Sequence, residues 1–234
     1  MTLDRQHMSG IESRKIRGGF IFIDQLKSRR EFLKTTGKVV AGAALASTGL
    51  PLLNMRAEAA PVLNPAPYPF PYVKLEPQAT LERGYKSFYE FGGCGMGAFD
   101  AIVGQLAELT GYPYDQVPVQ MLGSASGGFG AGTLCGSLAG AIMAVGLILE
   151  PADAKKVTAD LFKWYKETPF PGYQPEIKNP TTVAGSIDCL DSCSEFMAAA
   201  NVTMADDARK ARCASVTGET AAKAVELINA LKGL

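Results

Sequence analysis

The sequence predicts an all-α protein: a single compact helical domain around a buried, glycine-rich central helix, preceded by a proline-rich arm. Three observations carry this. Apolar residues recur at helical spacing through successive segments, and no segment shows the steady alternation of a strand. A run without a single charged residue lies between Asp115 and Glu150 and ends in an apolar stretch of helix length, residues 134–149. Such a stretch is short for a membrane span and suits a helix buried on all sides. Ahead of the helical region, residues 60–77 place six prolines in eighteen positions, which forbids a helix and favours an extended arm.

The elements follow in order. A first helix is expected over residues 80–91, where Leu81, Tyr85, Phe88 and Tyr89 share a face and Gly92 and Gly93 end it. A second covers residues 96–109, with Phe99, Ile102, Val103 and Leu106 at helical spacing. "TGYPYDQVP" reads as a turn and a short helical piece. In the central helix Gly136, Gly140 and Ala144 are four apart, a smooth stripe that lets another helix come close. Pro151 opens an amphipathic helix that runs to Lys166. A Pro/Gly-rich loop covers residues 168–180. Residues 189–200 and 204–213 look helical, and Thr217 is placed as the N-cap of a closing helix. Met96, Met121 and Met143 read as core fillers.

The N-terminus looks like a presequence. "SRREFLK" at residues 28–34 is followed by the uncharged "VVAGAALASTGLPLL" and by the small-residue pattern "AEAA". That is a basic segment, a short apolar segment and a cleavage site, placed after Ala59. Arg29 and Arg30, followed by Phe32, Leu33 and Lys34, resemble a twin-arginine export signal. The expected division is therefore a presequence over 1–59, the arm over 60–78 and a helical, cysteine-containing domain over 79–234. The expected location is periplasmic, reached through the twin-arginine translocase.

Composition then excludes several chemistries. From residue 60 onward there are 13 Lys and Arg against 18 Asp and Glu, a net charge of −5. A mildly acidic domain lacks the basic footprint of a nucleic-acid binder. The one histidine is His7, in the presequence, so the domain offers no His-based triad and no His metal ligand. No C-x-x-C-H occurs, which excludes covalently held c-type haem. No catalytic residue is assigned.

Five cysteines remain: Cys94, Cys135, Cys189, Cys193 and Cys213, separated by 41, 54, 4 and 20 residues. These spacings match neither the ferredoxin run nor a structural zinc motif. Cys94 and Cys135 lie among glycines, and Cys213 precedes the expected closing helix. Free N–H groups at such positions favour thiolate. No Lys or Arg lies between Lys86 and Lys155, so side chains near in sequence supply no countercharge. On the residues alone, iron–sulfur ligation, disulfide or dithiol chemistry and another metal all stay open.

"FYEFGGCGMGAFDAIV", "GGFGAGTLCGSLAGAIMAVGL", "SIDCLDSC" and "RCASVTGETAAKAVELI" resemble the C-GCAxxG-C-C family of redox proteins, and more closely the C-terminal domain of the split-Soret cytochromes c. The resemblance covers about residues 80–232. It implies an all-α unit holding an iron–sulfur centre, with the family's four cysteines falling on Cys94, Cys135, Cys189 and Cys213, and Cys193 extra. A homodimer is implied as well. Ser137 stands where alanine is common in the family. The resemblance implies a [2Fe–2S] cluster on those four cysteines and electron transfer to a periplasmic redox partner. The competing expectation is a metal-free helical module, stabilised by disulfides, that binds a partner or exchanges thiols.

Overall fold

The computed structural model describes residues 66–234, and the expected presequence with its Arg29–Arg30 pair lies outside them. The described chain is almost wholly helical. Seven helices appear: α1 Pro77–Glu90, α2 Cys94–Phe99, α3 Gln105–Thr110, α4 Gly136–Ile148, α5 Pro151–Glu167, α6 Cys189–Ala200 and α7 Asp207–Lys232. A π-helical turn, Asp100–Gly104, joins α2 to α3 without a break in helical backbone. Two 3₁₀ segments, Tyr114–Gln116 and Val119–Ala125, and a kinked turn, Gly128–Gly132, with Phe129 and Gly130 at positive φ, lead into α4.

α4 is the buried centre. Nine of its thirteen residues are inaccessible, including Leu138, Ala141, Val145 and Ile148. The small-residue stripe does what its spacing predicts. A Cβ on Gly140 would collide with the Gly95 carbonyl oxygen and lie 2.9 Å from Phe99 N, so α2 rests directly on the α4 backbone. Phe99, Ile102, Val103 and Leu106 are all buried in the same core. Among the described residues no helix is long and apolar enough to cross a membrane.

The C-terminal region differs from the expectation. Residues 207–232 form one uninterrupted helix, and Thr217 does not cap it. The Thr217 hydroxyl instead donates to the Cys213 carbonyl at 2.8 Å, an i−4 bond inside the helix. Gly218, which reads locally as a breaker, serves packing. A Cβ on Gly84 would sit 2.7 Å from Gly218 Cα, so α1 and α7 cross at backbone contact. The same crossing changes the buried face of α1. It buries Thr80, Gly84, Tyr85 and Ser87, while Tyr89 is 46% exposed.

From residue 66 to Glu76 the proline-rich segment is an arm laid on its own domain, and Pro77, expected in the arm, is already the first residue of α1. Tyr68 Oη donates to the Leu149 carbonyl at 3.0 Å, and Phe70 N donates to the Leu147 carbonyl at 2.8 Å. Tyr72 Oη donates to Asn229 Oδ1 at 2.8 Å, and Asn229 Nδ2 returns a bond to the Leu75 carbonyl at 2.9 Å. The loop after α5 holds a minimal antiparallel pair, Pro169–Phe170 with Thr182–Val183, which the sequence did not announce. Met96 packs against the core as expected; Met121 and Met143 are about half exposed.

Candidate functional site

All five cysteines are free thiols, and all five line one small inner cavity of about 20 Å³, together with Tyr165, Ser192 and Arg212. Cys94 is the first residue of α2, Cys135 is the N-cap of α4, and Cys189 is the first residue of α6. Cys193 lies one turn further along α6. Cys213 comes from within α7, not from ahead of a helix as its surroundings in sequence suggested. Cysteines more than a hundred residues apart in sequence therefore share one cavity because four helices converge on it.

The convergence has a local cause. Cys135 N donates to the Ile187 carbonyl at 2.9 Å, and Cys189 N donates to the Thr133 carbonyl at 2.6 Å. This antiparallel bridge, Leu134 opposite Asp188, sets the N-termini of α4 and α6 side by side. Glycine then permits the contact distance. A Cβ on Gly136 would fall on Cys94 Sγ, and one on Gly128 would lie 2.9 Å from Cys189 Cβ. Gly136 and Gly128 are thus clearance for neighbouring cysteines.

The sulfurs on α6 and α7 form a row. Cys189 Sγ is 3.9 Å from Cys193 Sγ, which is 4.0 Å from Cys213 Sγ. Cys193, the extra cysteine, stands between two of the four family cysteines. Four of the five thiols, all but Cys135, also face an open outer cavity of about 340 Å³ between Phe88, Tyr89 and Met204.

Electrostatics separate this site from an ordinary core. Burial, with Cys135 and Cys213 nearby, pushes the Cys94 thiol up to about 12, against the pull of the Gly127 N–H and the Ser126 hydroxyl. Contact with Cys189 and burial push Cys193 up to about 11, although Cys213 and Arg212 pull it down. Contact with Cys193 and burial hold Cys213 well above the usual thiol range. At Cys94 the helix N-terminus does not win: burial and the neighbouring thiols favour the protonated form.

A cation is present in the wall. Arg212 is 1% exposed, and Nη2 donates to Ser192 Oγ at 2.7 Å. Its Nε has no hydrogen-bond partner. The guanidinium lies 5.7 Å above the Phe196 ring. Among the described residues the Glu219 carboxyl on the same helix feels this cation through space. Burial works against its charge, yet Cys213, Tyr165, Cys193 and Cys135 hold its pKa above the usual arginine value. Ser192 in turn meets Tyr165 Oη at 3.1 Å, so a Tyr165–Ser192–Arg212 chain fixes the cation beside the sulfurs. The sequence reading missed this residue. Its signal was the adjacency of Arg212 and Cys213 in "ARC", which places both on one turn of α7.

The donor set is thiol only, and thiolate suits soft metals and iron–sulfur clusters. Among the described residues no three His, Cys, Asp or Glu side chains converge on a point that could hold a single metal ion. A cluster makes a different demand, because its thiolates bind separate iron atoms. Five sulfurs around a cavity, with an unpaired buried Arg212 Nε, fit that demand better than they fit one ion.

Residues 98–227 match the family described as "Putative redox-active protein (C_GCAxxG_C_C)". The chain belongs to this family. Cys94 lies four residues ahead of the matched stretch, and Cys135, Cys189, Cys193 and Cys213 lie inside it. The chain is also 31% identical over 219 residues to the split-Soret cytochrome c of Desulfovibrio desulfuricans, covering 86% of this chain and 77% of that protein. The solved structure of that cytochrome, which describes a novel iron centre, matches with a TM-score of 0.68 over 70% of this chain and 72% of that one. Membership of the C-GCAxxG-C-C family and likeness to this cytochrome support a redox role. The haem part of the likeness does not transfer, because no C-x-x-C-H occurs in these 234 residues.

Proposed function

We propose that this protein is an exported electron carrier in which Cys94, Cys135, Cys189 and Cys213 hold a [2Fe–2S] cluster. The observation that carries the reading is the meeting of all five free thiols at one cavity whose wall holds a buried arginine with an unpaired Nε. Such a cation is costly to bury alone and is balanced by anionic sulfur. The iron centre of the related cytochrome supports the same assignment.

Bound at this site, the cluster would supply a one-electron redox couple. The chain's own residues do the rest. The thiolates would hold the irons from four helices, Arg212 would set positive charge against them, and Ser192 with Tyr165 fixes the guanidinium. Cys135 lines only the dry inner cavity, whereas Cys94 and Cys213 are half-buried and reach the outer one. The outer cavity is therefore where a redox partner outside the cytoplasm comes within electron-transfer reach.

Anaerobic purification tests the assignment. The expected product is brown, with two irons and two labile sulfides per chain, as a two-iron centre requires. A colourless, iron-free protein with few titratable thiols would favour the alternative, a disulfide-stabilised or thiol-exchanging module. The 4.0 Å approach of Cys193 to Cys213 is the contact that such chemistry would use.

A further inference from the structure

We infer that Cys189 and Cys193 are interchangeable as the α6 ligand of the iron site, so that the centre survives the loss of either thiol and not of both. The inference rests on the iron reading above and concerns only which sulfurs serve it. Family resemblance assigns Cys189, but the geometry does not prefer it. The two thiols are one turn apart on the buried face of α6, which also carries Ser192 and Phe196. Their sulfurs touch at 3.9 Å. Both are buried, and both line the inner and the outer cavity with Cys94 and Cys213. Of the pair, it is Cys193 whose sulfur is recorded in contact with Cys213, the α7 ligand, at 4.0 Å.

A two-iron centre takes four thiolates, and this cavity offers five. Cys94, Cys135 and Cys213 each come from a different helix and have no neighbour in sequence that could replace them. α6 alone supplies two sulfurs, chemically identical and in contact. An exchange between them balances without an outside reagent. With the centre bound, the iron–sulfur bond to Cys189 would break, one to Cys193 would form, and the proton given up by the Cys193 thiol would pass to the departing Cys189 thiolate. Charge and oxidation state are unchanged. Ser192, between the two cysteines, holds this turn of α6 against Tyr165 and Arg212.

The test uses the whole chain, purified anaerobically, as wild type, Cys189→Ala, Cys193→Ala and the double variant. Alanine leaves no ligating atom. Iron and sulfide per chain, the visible absorption and circular-dichroism bands, and far-ultraviolet helical content are measured together. Each single variant is expected to keep the wild-type iron content with a slightly shifted visible band. The double variant is expected to lose iron on the order of tenfold or more while staying helical. The inference is overturned if one single variant bleaches and the other does not, if both bleach, or if the double variant keeps its iron. Should an alanine variant fail to fold, Cys189→Val and Cys193→Val, which likewise leave no ligating atom, are read by the same criteria. An iron-free wild type would instead sink the iron assignment itself.

Discussion

Arg212 Nη2 donates to Ser192 Oγ at 2.7 Å, across the packing of α7 on α6, and leaves Nε of the same guanidinium without a partner beside the thiols. A buried cation held by a neutral hydroxyl depends on something else nearby for its balance. Cys213, Tyr165, Cys193 and Cys135 all raise its pKa against the effect of burial, and the Glu219 carboxyl feels the same cation.

Removing that charge should therefore change a redox potential. Arg212→Gln keeps hydrogen-bonding capacity and loses the cation, which disfavours the more negative, reduced form of the centre. The expected fall in midpoint potential is about 60 mV or more, the equivalent of a tenfold change in a one-electron equilibrium. Spectroelectrochemical titration measures it, and Arg212→Lys should recover part of the difference. An unchanged midpoint in Arg212→Gln would show that the arginine serves packing only.

The thiols outside α6 should be individually indispensable. Cys94→Ala, Cys135→Ala and Cys213→Ala each remove the only sulfur that their helix offers to the cavity. Each is expected to lose most of the bound iron and the visible spectrum, with helical content kept. Iron retained in Cys135→Ala would be the most damaging result, because Cys135 lines the inner cavity and not the outer one.

Much of this architecture was legible in residues taken a few turns at a time. The uncharged run gave the buried helix, the four-residue spacing of Gly136 and Gly140 gave the close approach of α2, and Pro151 marked the start of α5. The misses share one cause. Thr217 and Gly218 carry local signals for a helix boundary, yet the crossing with Gly84 gives Gly218 a packing use and keeps α7 continuous. The counter-cation was sought near Cys94 and Cys135 in sequence, whereas it arrives from α7. The face of α1 misled for the same reason: backbone contact at a helix crossing rewards small residues, and a hydrophobic pattern does not register them.

The crossing itself gives a sharp expectation. Alanine is the better helix former by roughly 1 kcal/mol, so Gly218→Ala in an isolated helix would stabilise it. Here the added Cβ would strike the Leu81 carbonyl oxygen and crowd Tyr85 N at 3.2 Å. Overpacking of this kind costs about 1–3 kcal/mol. The variant should unfold at lower urea concentration than wild type, and a rise in the midpoint would contradict the backbone contact.

Export should depend on the arginine pair. The twin-arginine motif is read by a receptor, so Lys in place of both Arg29 and Arg30 preserves charge and removes the signal. Precursor of the double-lysine variant is expected to accumulate in the cytoplasm, followed by cell fractionation. Normal export of that variant, or export of the wild type in cells without the translocase, would count against the assignment.

The last expectation concerns pH. Glu219 lies on α7, and its Oε1 accepts the Gly172 N–H at 2.7 Å and the Tyr173 N–H, tying the loop after the first short strand to the helix. Tyr173 then meets Tyr85 edge-on, 5.5 Å between ring centres. Burial pushes the carboxyl from 4.5 up to about 7, against the pull of the two N–H donors and of Arg212. The folded state therefore holds this proton more tightly than the unfolded chain. Its contribution to stability is full below pH 4.5 and is lost as pH rises through about 7. Glu219→Gln keeps an acceptor for both N–H groups and carries no charge, so it should not show this decline. Relative to wild type, the variant should gain stability on going from pH 5 to pH 8, read from urea melts at both values. A variant that loses ground to wild type at pH 8 would mean that the charged carboxylate is worth more to the two N–H donors than burial costs it, and that Glu219 holds the loop as an anion.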